Sequence, residues 1–208
     1  MYYINIKILF YYLFFFYNIF LINKIFLIIK FNIKVHKKII FIKMENQSNF
    51  EINERYEGED FIIRKLEYDD YNKGFFELLQ QLTMAEKPSF EHYKERLDKI
   101  NSRDAENIFV YENKVDHKLY GTISYFSEYK FIHGLSKVGH IEDFVVDKDH
   151  RNKKIGTKLI DMAIKMAKQK GCYKIILECI DELIPFYQKF GFKKNANSMQ
   201  IYFRDKKI

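Results

Sequence analysis

The stretch Gly139-His140-Ile141-Glu142-Asp143-Phe144-Val145-Val146-Asp147-Lys148-Asp149-His150-Arg151-Asn152-Lys153-Lys154-Ile155-Gly156 opens the part of the chain that decides the fold, and Phe186-Tyr187-Gln188-Lys189-Phe190-Gly191-Phe192 closes it. Across this part the apolar period changes from short β-rich bursts to a 3.6-residue spacing and back, which predicts strand, turn, helix, strand, helix. Ile141 and Phe144 to Val146 make the first strand. The helix opens at Lys153-Lys154-Ile155-Gly156, carries Leu159, Ile160, Met162, Ala163, Ile164, Met166 and Ala167 on its apolar side, and ends at Gly171. Tyr173 to Cys179 is read as the second strand. Ile184 to Phe190 is a second helix, with Pro185 in the first turn, where a missing N–H costs little.

The start of the first helix has a chemical consequence. A basic loop running into a helix N-terminus gathers unpaired N–H groups and the positive end of a macrodipole, which together seat a pyrophosphate. Arg151, Lys153 and Lys154 add positive charge there. A solvated basic turn has the same spacing, so spacing alone leaves both readings open.

These residues resemble the coenzyme A core of the GNAT N-acetyltransferases, whose pyrophosphate loop has the form Arg/Gln-x-x-Gly-x-Gly/Ala. Gly139-His140-Ile141-Glu142-Asp143, Gly171-Cys172-Tyr173-Lys174-Ile175-Ile176-Leu177-Glu178-Cys179 and Phe186 to Phe192 are, more narrowly, similar in order and spacing to the glucosamine 6-phosphate N-acetyltransferases. The loop Arg151 to Gly156 departs from the pattern, with Asn and Lys where glycines are usual. Backbone amides there bind phosphate only if those residues reach the geometry a glycine adopts freely. Leu183 also departs, standing where relatives commonly carry a coenzyme-contacting Asn.

Outside this core the chain has two parts. The first 43 of the 208 residues contain seven Lys (7, 24, 30, 34, 37, 38 and 43) and no Asp or Glu. Removing those seven from the 35 basic residues leaves 28 against 28 acidic, so the basic balance belongs to this leader and the remainder carries no nucleic-acid footprint. Three readings of residues 1–43 stay open. The uncharged run Ile8 to Asn23 is 16 residues, just short of the roughly 17 to 25 that span a bilayer, and snorkelling Lys7 and Lys24 would lengthen it. A secretory signal would need a small-residue cleavage site, which does not follow. A gene-model extension from AT-rich DNA would place initiation at Met44. Residues 44–59 are polar and acidic, a disordered lead-in, and residues 60–205 form the acetyltransferase domain.

Within that domain Phe61 to Leu66 is a strand, Tyr68 to Leu82 a helix entered at Asp69-Asp70, and Pro88 to about Ile100 a second helix. Ile108 to Glu112 and Gly121 to Phe126 alternate as an antiparallel pair joined by the polar turn Asn113 to Lys118. The fold class is therefore α/β, a mixed and mostly antiparallel sheet flanked by helices in a single domain, and the resemblance makes it the GNAT fold.

The resemblance also implies the chemistry: acetyl-CoA as co-substrate, glucosamine 6-phosphate as acceptor, no metal, one ternary-complex step and a homodimer in the cytoplasm. The resemblance further implies a step toward UDP-N-acetylglucosamine. Acetyl transfer to an amine needs a neutral nitrogen nucleophile, charge stabilisation at the thioester oxygen and a proton for the leaving sulfur. The resemblance lays Phe144, Val145 and Val146 along the pantetheine arm, with a backbone N–H facing the acetyl carbonyl. It lays the loop Arg151, Asn152, Lys153, Lys154, Ile155 and Gly156 on the pyrophosphate. By the same resemblance Glu178 is expected to hold the amine and help remove its proton, directly or through water, and Tyr187 to donate a hydrogen bond or proton to the departing sulfur. Glu142 and Asp143 are read as sugar-hydroxyl or amine contacts; the resemblance implies that Thr83, Lys130, Phe131, Ile132, His133, Tyr173 and Lys174 serve the sugar phosphate, Tyr173 and Lys174 with the option of a dimer interface. Met199 to Phe203 resembles the family's exchanged or interface strand. Membrane contact follows only if the leader is retained.

Each residue also has a plainer reading: Phe144 to Val146 and Tyr187 as core, the acids and Lys130 as solvated strand ends, His133 and Thr83 as turn residues. Cys172 and Cys179 are seven apart, which in a period-two strand sends them to opposite faces and argues for two buried free thiols. Two rival functions remain: the same core acetylating another amine, such as a polyamine or protein N-terminus, or a coenzyme-binding remnant without turnover. The first turns on whether Thr83, Lys130, His133, Tyr173 and Lys174 converge on one cleft.

Overall fold

The computed structural model describes residues 54–203. The leader 1–43 and most of the lead-in 44–59 lie outside the described residues. The end of the lead-in forms a short edge strand, β1 (Tyr56–Glu57), paired with Ile63 and Ile62.

Six strands make one sheet in sequence order: β1, β2 (Phe61–Lys65), β3 (Glu106–Asn113), β4 (Leu119–Tyr129), β5 (Lys137–Val146) and β6 (Cys172–Ile176). Every pairing is antiparallel except β5 with β6, which is parallel. That parallel step needs a crossover, and the long helix α3 (Ile155–Gln169) supplies it. The predicted mixed, mostly antiparallel sheet flanked by helices is thus observed.

The two faces of the sheet are covered by different helices. On one face α3 buries Ile155, Leu159, Ile160, Met162, Ala163, Met166 and Ala167 against Ile63, Phe109, Ile123, Tyr125 and Ile141, the stripe its 3.6-residue spacing predicts. On the other, α1 (Phe75–Leu79) and α2 (Phe90–Asn101) set Phe75, Phe76, Leu78, Tyr93 and Leu97 against Val110, Leu119 and Val145. The helix predicted over Tyr68 to Leu82 is in fact a 3-10 turn (Tyr68–Asn72) followed by α1. Gly74, at φ 93°, sits between them in a left-handed conformation that ends one helical segment before the next begins.

A buried ion network pins the 3-10 turn that leads into α1 to β2 and β3. Arg64 of β2 donates two 2.7 Å bonds to Asp70 and a 3.1 Å bond from Nε to Glu112 of β3. Asp70 in turn accepts from the Glu67 N–H at 2.8 Å and caps the 3-10 turn. Among the described residues no helix is long and apolar enough to cross a membrane.

The predicted terminal strand Met199 to Phe203 is not formed: these residues pair with no strand within the described chain. Met199, Ile201 and Phe203 are 80 to 95% exposed. Alternating apolar residues supply strand propensity, but a strand also needs a partner edge.

Candidate active site

The parallel pairing of β5 with β6 runs only from Lys137↔Cys172 to His140↔Ile176. Beyond it the β6-facing edge of β5, from Ile141 to Val146, has no strand partner among the described residues. A backbone edge left unpaired needs other hydrogen-bond partners, and here it borders a gap between two parallel strands. The same divergence explains why the strand predicted over Tyr173 to Cys179 stops at Ile176: Leu177, Glu178 and Cys179 have left the ladder.

A β-bulge sits at this point. Thr122↔Val145 and Ser124↔Glu142 are successive registers, so β5 carries one extra residue, and Asp143 lies at φ 45°. The extra residue inverts the alternation. Ile141 belongs to the α3-side core while Val145, four residues on, belongs to the other. Phe144 and Val146 consequently turn toward α3.

Helix α4 (Ile184–Gln188) packs beside the open edge. Phe144 and Phe186 stack at 6.2 Å, and Tyr187 meets Phe144 edge-on at 6.4 Å. Gly156, in the first turn of α3, completes the junction. A Cβ there would lie 3.1 Å from Phe144 Cζ, 3.4 Å from Val146 Cγ2 and 3.5 Å from Phe186 Cζ. Absence of a side chain at Gly156 lets α3 approach β5 and α4.

The loop before α3 settles the question raised by its missing glycines. Lys154 adopts φ 61°, ψ 12° and Asn152 φ 64°, both left-handed. The lysine thus takes the backbone geometry a glycine would adopt freely, at a cost on the order of 1 kcal/mol. Arg151, Asn152, Lys153 and Lys154 are all exposed. Behind them Asp147 is braced by Gln81 Nε2 at 2.9 Å and by His150, whose ring stacks 3.5 Å from Tyr120. Burial raises the Asp147 carboxyl, but the Gln81 and His150 contacts outweigh it and hold it below its ordinary value. Lys154→Gly is expected to raise Tm by about 3 °C, whereas Lys154→Ala is not. Thermal melts of both variants test this, since only glycine relieves the conformation while both remove the charge.

Around the gap stand the candidate chemical groups. Tyr187 is buried, and its hydroxyl has no hydrogen-bond partner among the described residues. Burial, and then the nearby Cys179 thiol, push its phenol up to about 12. Glu178 is exposed and accepts from Ser198 Oγ at 2.8 Å and Gln200 Nε2 at 3.3 Å. Glu142 is raised by burial and then by the negative charges of Asp143 and Glu178. Glu142 is therefore close enough to both other acids to sense their charge. Cys172 and Cys179 are free as expected, but only Cys172 is even half-buried; Cys179 is exposed because it lies past the end of β6.

The predicted sugar-phosphate residues do not converge within one chain. His133 and Tyr173 come together, with ring centroids 4.4 Å apart, and the Lys174 ammonium lies 5.5 Å from the Tyr173 ring. Lys130 is ion-paired to Glu128, which also meets His140 Nε2 at 3.2 Å. The Lys130 and His140 contacts outweigh burial and keep the Glu128 carboxyl low. Phe131 and Ile132 are exposed, and His133 sits in a left-handed turn at φ 52°. All of these lie around the Lys137 end of β5, where Tyr129 pairs with Lys137. Thr83 lies at the other end, two residues after the Gln81 that clamps Asp147. Nine residue steps of strand separate Lys137 from Val146, or about 30 Å.

Sequence reading missed Ser198 and Gln200, whose sequence separation from Glu178 carries no periodic signal, and the Gln81 to Asp147 brace. It also could not foresee that Cys179 would lie beside Tyr187.

Comparison with known proteins agrees with this geometry. Residues 63–192 match the Acetyltransferase (GNAT) family. A glucosamine 6-phosphate N-acetyltransferase of Arabidopsis thaliana is 40% identical over 147 residues, covering 70% of this chain and 99% of that protein. A Dictyostelium discoideum protein named glucosamine 6-phosphate N-acetyltransferase 1 is 39% identical over 141 residues, covering 67% and 89%. The crystal structure of an Arabidopsis thaliana glucosamine-6-phosphate N-acetyltransferase superposes with TM-score 0.68 and 41% identity, covering 70% of this chain and all of that one. With the parted strands, the bulge and the left-handed loop all inside the matched span, the chain belongs to the acetyltransferase (GNAT) family.

Proposed function

We propose that this acetyltransferase moves the acetyl group of acetyl-CoA to the amine of glucosamine 6-phosphate, yielding N-acetylglucosamine 6-phosphate in one ternary complex. The observation that carries the reading is the parting of β5 from β6 after His140↔Ile176, flanked by Glu142, which feels the charges of both Asp143 and Glu178, and by a buried phenol. Relatives 39 and 40% identical bear the name of this activity. Acetyl-CoA supplies the acetyl group as a thioester. The residues present fit it: an unpaired strand edge, the Gly156 junction that a Cβ would crowd, and a basic loop whose Lys154 takes the left-handed turn.

In this reading the Arg151 to Gly156 loop binds the pyrophosphate through the N–H groups opening α3. A backbone N–H of the unpaired Phe144 to Val146 edge steadies the carbonyl oxygen, an effect worth about 3 to 4 kcal/mol for a good donor. Glu178 takes the proton from the substrate amine, with Glu142 and Asp143 holding the sugar. Tyr187 donates a hydrogen bond to the departing sulfur. A phenol near 12 does not hand its proton outright to a thiolate of ordinary pKa about 8.5, because that transfer is uphill by roughly 5 kcal/mol. Its contribution is therefore a charge-assisted hydrogen bond rather than full protonation.

The sugar-phosphate group is completed by a second copy of the chain. Support comes from the exposed apolar residues Phe131, Ile132 and Leu135 beside Tyr173, from the uncovered Met199, Ile201 and Phe203, and from the separation of Thr83 from the Lys130 to His133 segment. Patches of this kind mark interfaces.

Thiol release from acetyl-CoA, followed for the purified chain with glucosamine 6-phosphate, glucosamine, a polyamine and a peptide amine, tests the proposal. Turnover should be fastest with the phosphorylated sugar; a preference for the polyamine or peptide overturns it. Glu178→Gln should lower kcat about tenfold or more while acetyl-CoA affinity, measured by calorimetry, stays within about twofold. Unchanged turnover would take the base role away from Glu178.

A further inference from the structure

The segment after α4 carries a pattern of period two. Ser198 Oγ donates to Glu178 Oε1 at 2.8 Å, Gln200 Nε2 reaches Glu178 Oε2 at 3.3 Å, and Tyr202 Oη donates to Gln200 Oε1 at 2.5 Å. The alternate residues Met199, Ile201 and Phe203 are exposed. Alternate residues of this tail thus fall into two sets, a polar ladder ending on Glu178 and an exposed apolar set.

We infer that Ser198 and Gln200 are positioning residues for Glu178, which rests on the reading of Glu178 as the base. Glu178 lies past the end of β6, exposed and outside any ladder. A glutamate in that setting spreads over its rotamers, and fixing one costs up to about 2 kcal/mol. One donor on each carboxylate oxygen selects a single orientation. Each oxygen keeps acceptor capacity for the amine or a bridging water. The ladder also sets the Gln200 amide: its Oε1 is occupied by the Tyr202 hydroxyl, which leaves Nε2 for the carboxylate. The tail therefore aims the base from outside the strand and helix that carry Glu142 and Tyr187, and it does so without itself touching the reacting atoms.

The double variant Ser198→Ala, Gln200→Leu in the full chain is expected to lower kcat about tenfold, with KM for acetyl-CoA within about twofold and the melting temperature unchanged. Ser198→Thr with Gln200 intact keeps the hydroxyl and is expected to keep kcat. In a Glu178→Gln background the double variant should cause no further loss, since there is no carboxylate left to aim. A kcat unchanged by the double variant while Glu178→Gln is slow overturns the positioning role alone. So does a loss of equal size in both backgrounds, or one expressed in KM. If Glu178→Gln turns over like the parent, the base assignment fails and this inference fails with it.

Discussion

Tyr187→Phe is expected to lower kcat roughly 10- to 150-fold, the equivalent of the 1.5 to 3 kcal/mol that a hydrogen bond to a charged group contributes. The substitution removes one oxygen and leaves the ring, so the packing against Phe144, Phe186 and Phe192 survives. No protein partner loses a bond, because the hydroxyl has none among the described residues. Folding stability should therefore hold while the rate falls, and KM for acetyl-CoA should change little, since the bond strengthens only as charge gathers on sulfur. Steady-state kinetics beside a thermal melt decides the matter. A parental rate would return Tyr187 to the core. The rate should also show no loss of the phenol proton below about pH 11, since burial and Cys179 hold it near 12.

Arg64→Met is expected to remove about 3 to 5 kcal/mol of stability, a large share of the roughly 5 to 15 kcal/mol of a whole domain. Arg64, Asp70 and Glu112 are 6, 0 and 6% exposed, so deleting the guanidinium strands two carboxylates away from water. Burial lowers the Arg64 pKa, but the Asp70 and Glu112 contacts more than reverse this and the group stays charged. For Glu112 burial pushes up, and the bonds and charge of Arg64, with help from Lys73 and His117, push further down; the net value lies below the usual 4.5. A lowered carboxyl contributes stability that is fully present above 4.5 and fades as pH falls through its folded value. Urea titrations should show the variant destabilised at neutral pH, with the gap to the parent narrowing under strong acid. A loss under about 1 kcal/mol would mean the network is replaceable by apolar packing. Because the network pins the 3-10 turn that leads into α1, and Gln81, two residues past the end of α1, braces Asp147, the damage should also reach the loop before α3.

The parts legible from sequence were those with local causes. The α3 stripe, its end at Gly171, Pro185 in the first turn of α4 and the β3 to β4 hairpin follow from period and turn chemistry, which act over a few residues. Phe144 to Val146 and Tyr187 were legible as core and as matched motif together. The helix over Tyr68 to Leu82 was read too long because apolar spacing does not register a single glycine in a left-handed conformation. The strand at Met199 to Phe203 was expected from the resemblance alone, as an exchanged or interface strand, and within the described residues it has no partner edge.

What the amino-acid sequence determined by itself is which segments become helix or strand and which of their faces turn inward, since side-chain period and backbone sterics are properties of short stretches. Tertiary structure alone decided where β6 leaves β5, that an extra residue at Asp143 turns Phe144 and Val146 toward α3, that Lys154 takes a glycine's conformation, and that Ser198 and Gln200 reach Glu178. Each of these depends on contacts between residues far apart in the chain, whose geometry is set by the packing of the whole sheet and not by any local preference.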